Sequence, residues 1–394
     1  MKLKNKTTQN SLAKPPSSNK FWGRGAPAMD YLFLTTAVLL ALFGTLMVFS
    51  AGSAYAEFRY DDPGFFIKRQ SIWLILGLIT MFLSSHIKPE IYKAITPALY
   101  TLTVILLVVV LIFGMVGNGA QRWISIGPLT IQPSEIAKMT IVMMLSYYFS
   151  KNGSLALDRM NRKNSFIYGT ILPFGIMLLP ILLVMLQKHL SCIIILGTIG
   201  LMVIIASGIN LRYISTFTAM GGIGVTCIAL FTDYTKDRIT VWQNPEKYKL
   251  TGGWQTLQGL MAIGSGGLFG VGYGKSVLKH CYVSEPANDM IFAILCEELG
   301  FFGAVTTLIL FGLLVYRGFV IASKASNTFE RLTIFGICTK IAVQVLLNVA
   351  VVTNTIPNTG ISLPFFSYGG SSLVMLFFEL GMILSFSRCA KISK

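Results

Sequence analysis

Apolar stretches of about 20 residues recur almost from end to end of this chain, and that is the length a helix needs to cross the hydrocarbon core of a bilayer. They fall at 31–53, 65–85, 94–116, 165–186, 190–209, 213–232, 289–316, 332–353 and 363–386, with a shorter, amphipathic one at 134–150. Inside a bilayer every backbone N–H and C=O must be satisfied within the segment, so the pattern predicts helices. The fold class expected is all-α: one membrane domain over 29–388 with about ten transmembrane helices. Composition agrees, with 54% of residues hydrophobic and 12% charged, roughly half the charged share of a soluble domain.

Residues 1–28 are basic, polar and rich in Pro and Ser, and they precede an apolar segment too long for a signal peptide. They read as a disordered cytoplasmic tail followed by a retained first helix, with 389–394 as a second short tail. The net charge of +16 invites a nucleic-acid partner. Lys and Arg, however, concentrate on the side of the two termini, as the positive-inside rule requires, so both termini are expected in the cytoplasm and no nucleic acid is expected. Of the six cysteines only Cys281 lies in an outer loop, which argues against a disulfide framework or a metal cluster. His86, His189 and His280 show no ligand spacing.

One connection, 233–286, is long and is expected outside. Its glycine-rich run at 254–274 is a candidate lid or cavity wall. The run satisfies neither a G-x-G-x-x-G register nor a Walker lysine pattern.

Charged side chains at membrane depth are costly and mark function by default. Here they are Glu135, Lys138, Asp289, Glu297, Glu298, Lys340 and Glu379. Glu135 and Lys138 share a helical face and can form a structural ion pair. Alternatively, Lys138 faces a cavity and binds an anion such as a pyrophosphate, with Arg122 adding a bidentate cation. Asp289 can cap its helix, or it can stand beside open space left by Ala293, Cys296 and Gly300. Glu297 and Glu298 fall off that face and are expected to pair with Lys or Arg on neighbouring helices. The stretch 357–372 holds two prolines and three glycines, and reads as a hinge or as a second wall of the same external pocket.

Several strings stand together in order: Asp62-Pro-Gly-Phe-Phe-Ile-Lys-Arg-Gln70, Asn118-Gly-Ala-Gln-Arg-Trp123, and those at 132–138, 262–274, 289–300 and 363–372. This set resembles the SEDS family (shape, elongation, division and sporulation) of polytopic bacterial peptidoglycan polymerases, over nearly the whole chain after Asp30. The resemblance implies an inverting transferase that joins lipid II into glycan strands at the outer face of the cytoplasmic membrane. It makes Asp289 the catalytic base, with Arg122 and Lys138 on the pyrophosphate, Glu135 orienting Lys138, and Gln132 and Ser371 at the substrate. It implies a class B penicillin-binding protein and other division proteins as partners, at the division septum, and names no required cofactor, a divalent cation being the one candidate. The strings look more like the division and sporulation branch than the elongation branch.

Two places depart from the family. Gln187-Lys-His-Leu-Ser191 lacks the usual acidic residue, and 284–288 reads Ser-Glu-Pro-Ala-Asn. A lipid II flippase or carrier, or a non-catalytic scaffold for a crosslinking partner, remain the alternatives.

Overall fold

The structure, a computed structural model, describes residues 29–117, 120–126, 129–157, 162–209, 215, 222, 233–280 and 282–389. The expected tail 1–28, the span 213–232 apart from residues 215 and 222, and residues 390–394 therefore lie outside the described residues. Asp30 starts the first helix, α1 (Tyr31–Tyr60), by accepting from the Phe33 N–H. It also ties that end to Arg317, whose Nε lies 2.9 Å from its carboxylate. There follow α2 (Phe65–Ser85), α3 (Pro89–Phe113) and a three-stranded antiparallel sheet of β1 (Met115–Gly117), β2 (Ala120–Ile126) and β3 (Leu129–Ile131). Next come α4 (Pro133–Ala156), α5 (Arg162–Phe166), which runs through a π turn into α6 (Leu172–Leu186), and α7 (Leu190–Ala206). The long connection contributes α8 (Asp233–Gln243) and α9 (Trp254–Gly266). Last are α10 (Ile291–Ser323), α11 (Thr328–Val352) and α12 (Gly370–Cys389).

Among the described residues, seven helical segments are long and apolar enough to cross a membrane: α1, α2, α3, the α5–α6 run, α10, α11 and α12. The protein is a multi-pass membrane protein, helical as expected except for the small sheet. Three expectations change in detail. The helix at 134–150 is neither short nor two-faced: α4 is 24 residues long, buried continuously from Ala137 to Met143, and packed by α3, α6, α7 and α11. The last helix starts at Gly370 and not at Leu363, because 363–368 is a buried, non-helical segment with its Phe365 carbonyl against Gly44 of α1. The helix after Asp289 breaks at Gly300, so that Asp289 and Gly300 do not share one continuous face.

The long connection is not confined to the outside. The Tyr273 hydroxyl donates to the Leu46 carbonyl, which lies roughly 22 Å along α1 from Tyr31 at 1.5 Å per residue. The glycine-rich run thus re-enters the bundle, as irregular backbone can when protein satisfies it. It crosses α10 at Gly300, whose φ of +66° suits glycine and where a Cβ would stand 2.3 Å from the Gly270 nitrogen. Gly300→Ala is expected to cost on the order of 2–4 kcal/mol, from left-handed strain and overpacking together. A thermal-unfolding midpoint unchanged in detergent would refute that crossing.

The same re-entry gives Glu297 and Glu298 partners other than those expected. Glu298 pairs with Lys279 of the connection, at 3.2 Å, and with Ser50 of α1. Among the described residues Glu297 meets no cation: it accepts from the Ser276 hydroxyl and from the Val277 and Leu278 N–H groups.

Candidate functional site

At the end of the bundle remote from the Asp30–Arg317 pair lies a cavity of about 980 Å³. Asp289, Arg122, Lys138, Glu135, Gln132 and Ser371, the six residues singled out in the sequence, all line it. Each arrives from a different local device. The β2 strand carries Arg122, whose guanidinium donates to the Lys188 carbonyl at 2.6 Å. Gln132 follows β3 and is the N-cap of α4, where Pro133 sets the first turn. One turn on, Glu135 and Lys138 form their i, i+3 pair at 2.7 Å, with Lys138 only 3% exposed. The structural pair and the cavity-facing lysine are thus the same arrangement, not alternatives. Ser371 sits in the first turn of α12, after Gly369 and Gly370 bring the backbone to the wall.

Asp289 precedes α10 and does not cap it: the N-cap is Met290, with no side-chain hydrogen bond there. Its backbone carbonyl accepts from Asn348 at 2.9 Å, while Oδ2 accepts from Gln255 at 3.2 Å. Among the described residues no donor reaches Oδ1. Burial first, then the charge of Glu285, push the carboxyl up to about 6, against the pull of Gln255 and Arg238. That value suits a group that must be ionised near neutral pH and still accept a proton.

Other wall residues carried no signal of their own. Gln255 lies in the run expected to form a wall, but its contact with Asp289 is visible only in three dimensions. Arg69, Arg238 and Asn358 also line the cavity, Arg238 donating to the Asn358 carbonyl. His189, which has no metal-ligand spacing, lines the same space, and among the described residues its Nδ1 has no partner. Burial, then the charges of Arg122 and Lys138, hold its imidazole down to about 3, so it stays neutral beside two cations. No group of three or more His, Cys, Asp or Glu side chains among the described residues is placed to hold a metal.

A chamber with one raised carboxyl and several cations is chemically suggestive, and comparison with known proteins decides the family. The family of cell cycle proteins that groups FtsW, RodA and SpoVE matches residues 30–392. This chain belongs to it. Within the FtsW/RodA/SpoVE family it is similar to stage V sporulation protein E of Bacillus subtilis, 37% identical over 365 residues that cover 92% of this chain and 98% of that one. It is 33% identical to a probable peptidoglycan glycosyltransferase FtsW of Geobacter metallireducens, covering 92% of this chain and 95% of that one. Among solved structures, a chain from a peptidoglycan synthase complex matches with a TM-score of 0.76 at 26% identity, over 92% of this chain and 98% of the other. The rod shape determining protein RodA of Thermus thermophilus matches with a TM-score of 0.67 at 28% identity, with the same coverage. Both comparisons extend over the helices that build the chamber.

Proposed function

We propose that this protein is a peptidoglycan glycosyltransferase that polymerises lipid II at the outer face of the cytoplasmic membrane during division or sporulation. Asp289 takes the proton from the acceptor sugar's 4-hydroxyl as that oxygen attacks C1 of the donor. The bond from C1 to the pyrophosphate oxygen breaks, and undecaprenyl pyrophosphate leaves. Attack opposite the leaving group inverts the α-linked donor to a β-linked product, and Asp289 then passes its proton to chamber water. Arg122 and Lys138 stabilise the charge developing on the leaving pyrophosphate. Glu135 orients Lys138, and Gln132 and Ser371 contact the substrate.

The observation that carries this reading is the convergence of a raised carboxylate, the buried Lys138 and Arg122 on one chamber. A carrier would need charge along a path through the bundle. The pair Lys340 and Glu379, set midway along α11 and α12, is enclosed by the bundle, with side chains 4% and 0% exposed. Both termini face the cytoplasm in this reading. A single-pass class B penicillin-binding protein and other division proteins accompany the chain at the septum.

The test is reconstitution of the full chain with such a transpeptidase and purified lipid II. Glycan polymer and released undecaprenyl pyrophosphate are expected from the native protein and not from Asp289→Ala. No polymer from the native complex, with lipid II crossing vesicle membranes instead, would favour the carrier; equal polymer from both would remove Asp289 from the chemistry.

A further inference from the structure

Asp289 holds its place through a chain of amides drawn from two other parts of the fold. The N–H of Gly360 donates to Asn358 Oδ1 at 3.1 Å. Asn358 Nδ2 donates to Gln255 Oε1 at 3.1 Å, and Gln255 Nε2 donates to Asp289 Oδ2 at 3.2 Å. The direction of this chain is dictated by its ends. A backbone N–H can only donate and a carboxylate can only accept, so each amide between them has one orientation. Each amide polarises the next, and the whole series ends on negative charge.

We propose that Gln255 and Asn358 are positioning residues for the polymerisation reaction, forming a one-way amide relay that fixes the ionised Asp289 carboxylate in the chamber wall through Oδ2 and leaves Oδ1 without a donor among the described residues. This rests on the reading of Asp289 as the base. The geometry supports it beyond the hydrogen bonds alone. A Cβ built at Gly360 would stand 3.8 Å from Asp289 Oδ2, so the 357–361 loop lies directly against the carboxylate. That loop is itself fastened from several sides. Ser191 donates to the Thr359 carbonyl, Arg238 to the Asn358 carbonyl, and Asn348 to the carbonyls of both Ile361 and Asp289. The backbone of Asp289 is thus held by Asn348, while its side chain is held by Gln255. Gln255 comes from α9, the helix of the re-entrant connection, so movement of that connection reaches the Asp289 carboxylate through one side chain.

The charged surroundings of Asp289 are otherwise untouched by changes at Gln255. Glu285 and Arg238 act on it most directly. Glu135, Lys138 and His189 face the chamber from α4 and the turn before α7, and Arg122 from β2.

The experiment follows lipid II consumption against pH in the reconstituted complex. Gln255→Glu keeps the shape and the acceptor for Asn358, but replaces the donor facing Asp289 with a like charge. Its acid limb is expected to move up by about one pH unit, with the half-saturating lipid II concentration unchanged. Gln255→Leu is expected to lower kcat roughly tenfold or more through misplacement of the carboxylate. Asn358→Ala acts in the same direction with smaller effect. Combining it with Gln255→Leu adds nothing further, because the relay is already cut. If Gln255→Leu lowers folded yield, Gln255→Glu and Asn358→Ala carry the comparison. An acid limb unmoved in a folded Gln255→Glu, or additive losses in the double variant, overturns the relay. If Asp289→Ala stays inactive in those same experiments, the function stands and only the relay falls. Full activity in Asp289→Ala overturns the base assignment and the relay with it.

Discussion

Asp289→Asn is expected to lower the rate of lipid II polymerisation by about 10²- to 10⁴-fold, the range that loss of a positioned general base produces. The substitution preserves volume, and the amide oxygen can still accept from Gln255 Nε2, so the hydrogen bond seen at 3.2 Å can survive. Only the capacity to take a proton is lost. The pH profile separates this from a general weakening. The native carboxyl, with its pKa pushed up to about 6, works as a base above that pH and is silenced by protonation below it. Native activity should therefore fall as pH drops through about 6, and the residual activity of the variant should lack that limb. An asparagine variant that retains the limb would assign it to another group.

Lys279→Met is the second large effect, and it acts on stability. Glu298 is fully buried and its carboxylate has two partners, Lys279 Nζ at 3.2 Å and Ser50 Oγ at 2.6 Å. Lys279 Nζ also donates to the Gly274 carbonyl at 2.7 Å, closing the turn of the re-entrant run. Removing the ammonium leaves a carboxylate enclosed by the bundle without its counter-charge, which costs about 3–5 kcal/mol. A substantial drop in the thermal-unfolding midpoint in detergent is expected. Adding Glu298→Gln to Lys279→Met should recover most of it, because the uncompensated charge is then gone. A single variant as stable as the native protein would mean that the pair does not hold the connection in place. Activity should fall alongside stability, since α9 and Gln255 belong to the same connection.

The origin of each feature explains which were legible in the amino-acid order. Apolar length is a local property, so the run 31–53 announces α1 whatever it packs against. The i, i+3 spacing of Glu135 and Lys138 likewise brings them together on any helix, and they do pair. The six candidate residues were visible because each stands in a distinctive string, and all six line the one chamber. The partners of Glu297 and Glu298 were not visible. The expectation of helix-borne cations rested on helices packing against helices, whereas the nearest groups come from a connection that turns back between them. Nor could the break at Gly300 be read from the stretch 289–316, since only the crossing with Gly270 demands it.

The sequence by itself determined a multi-pass helical protein, its family, and the residues that bear charge where charge is costly, because hydropathy and motif spacing are written in neighbouring positions. Tertiary structure decided where the long connection goes, what Asp289 touches, and that residues 255, 289 and 358 form one directed chain of hydrogen bonds. Those contacts join segments far apart along the polypeptide. Their energies depend on closure of the whole bundle, which no local pattern encodes.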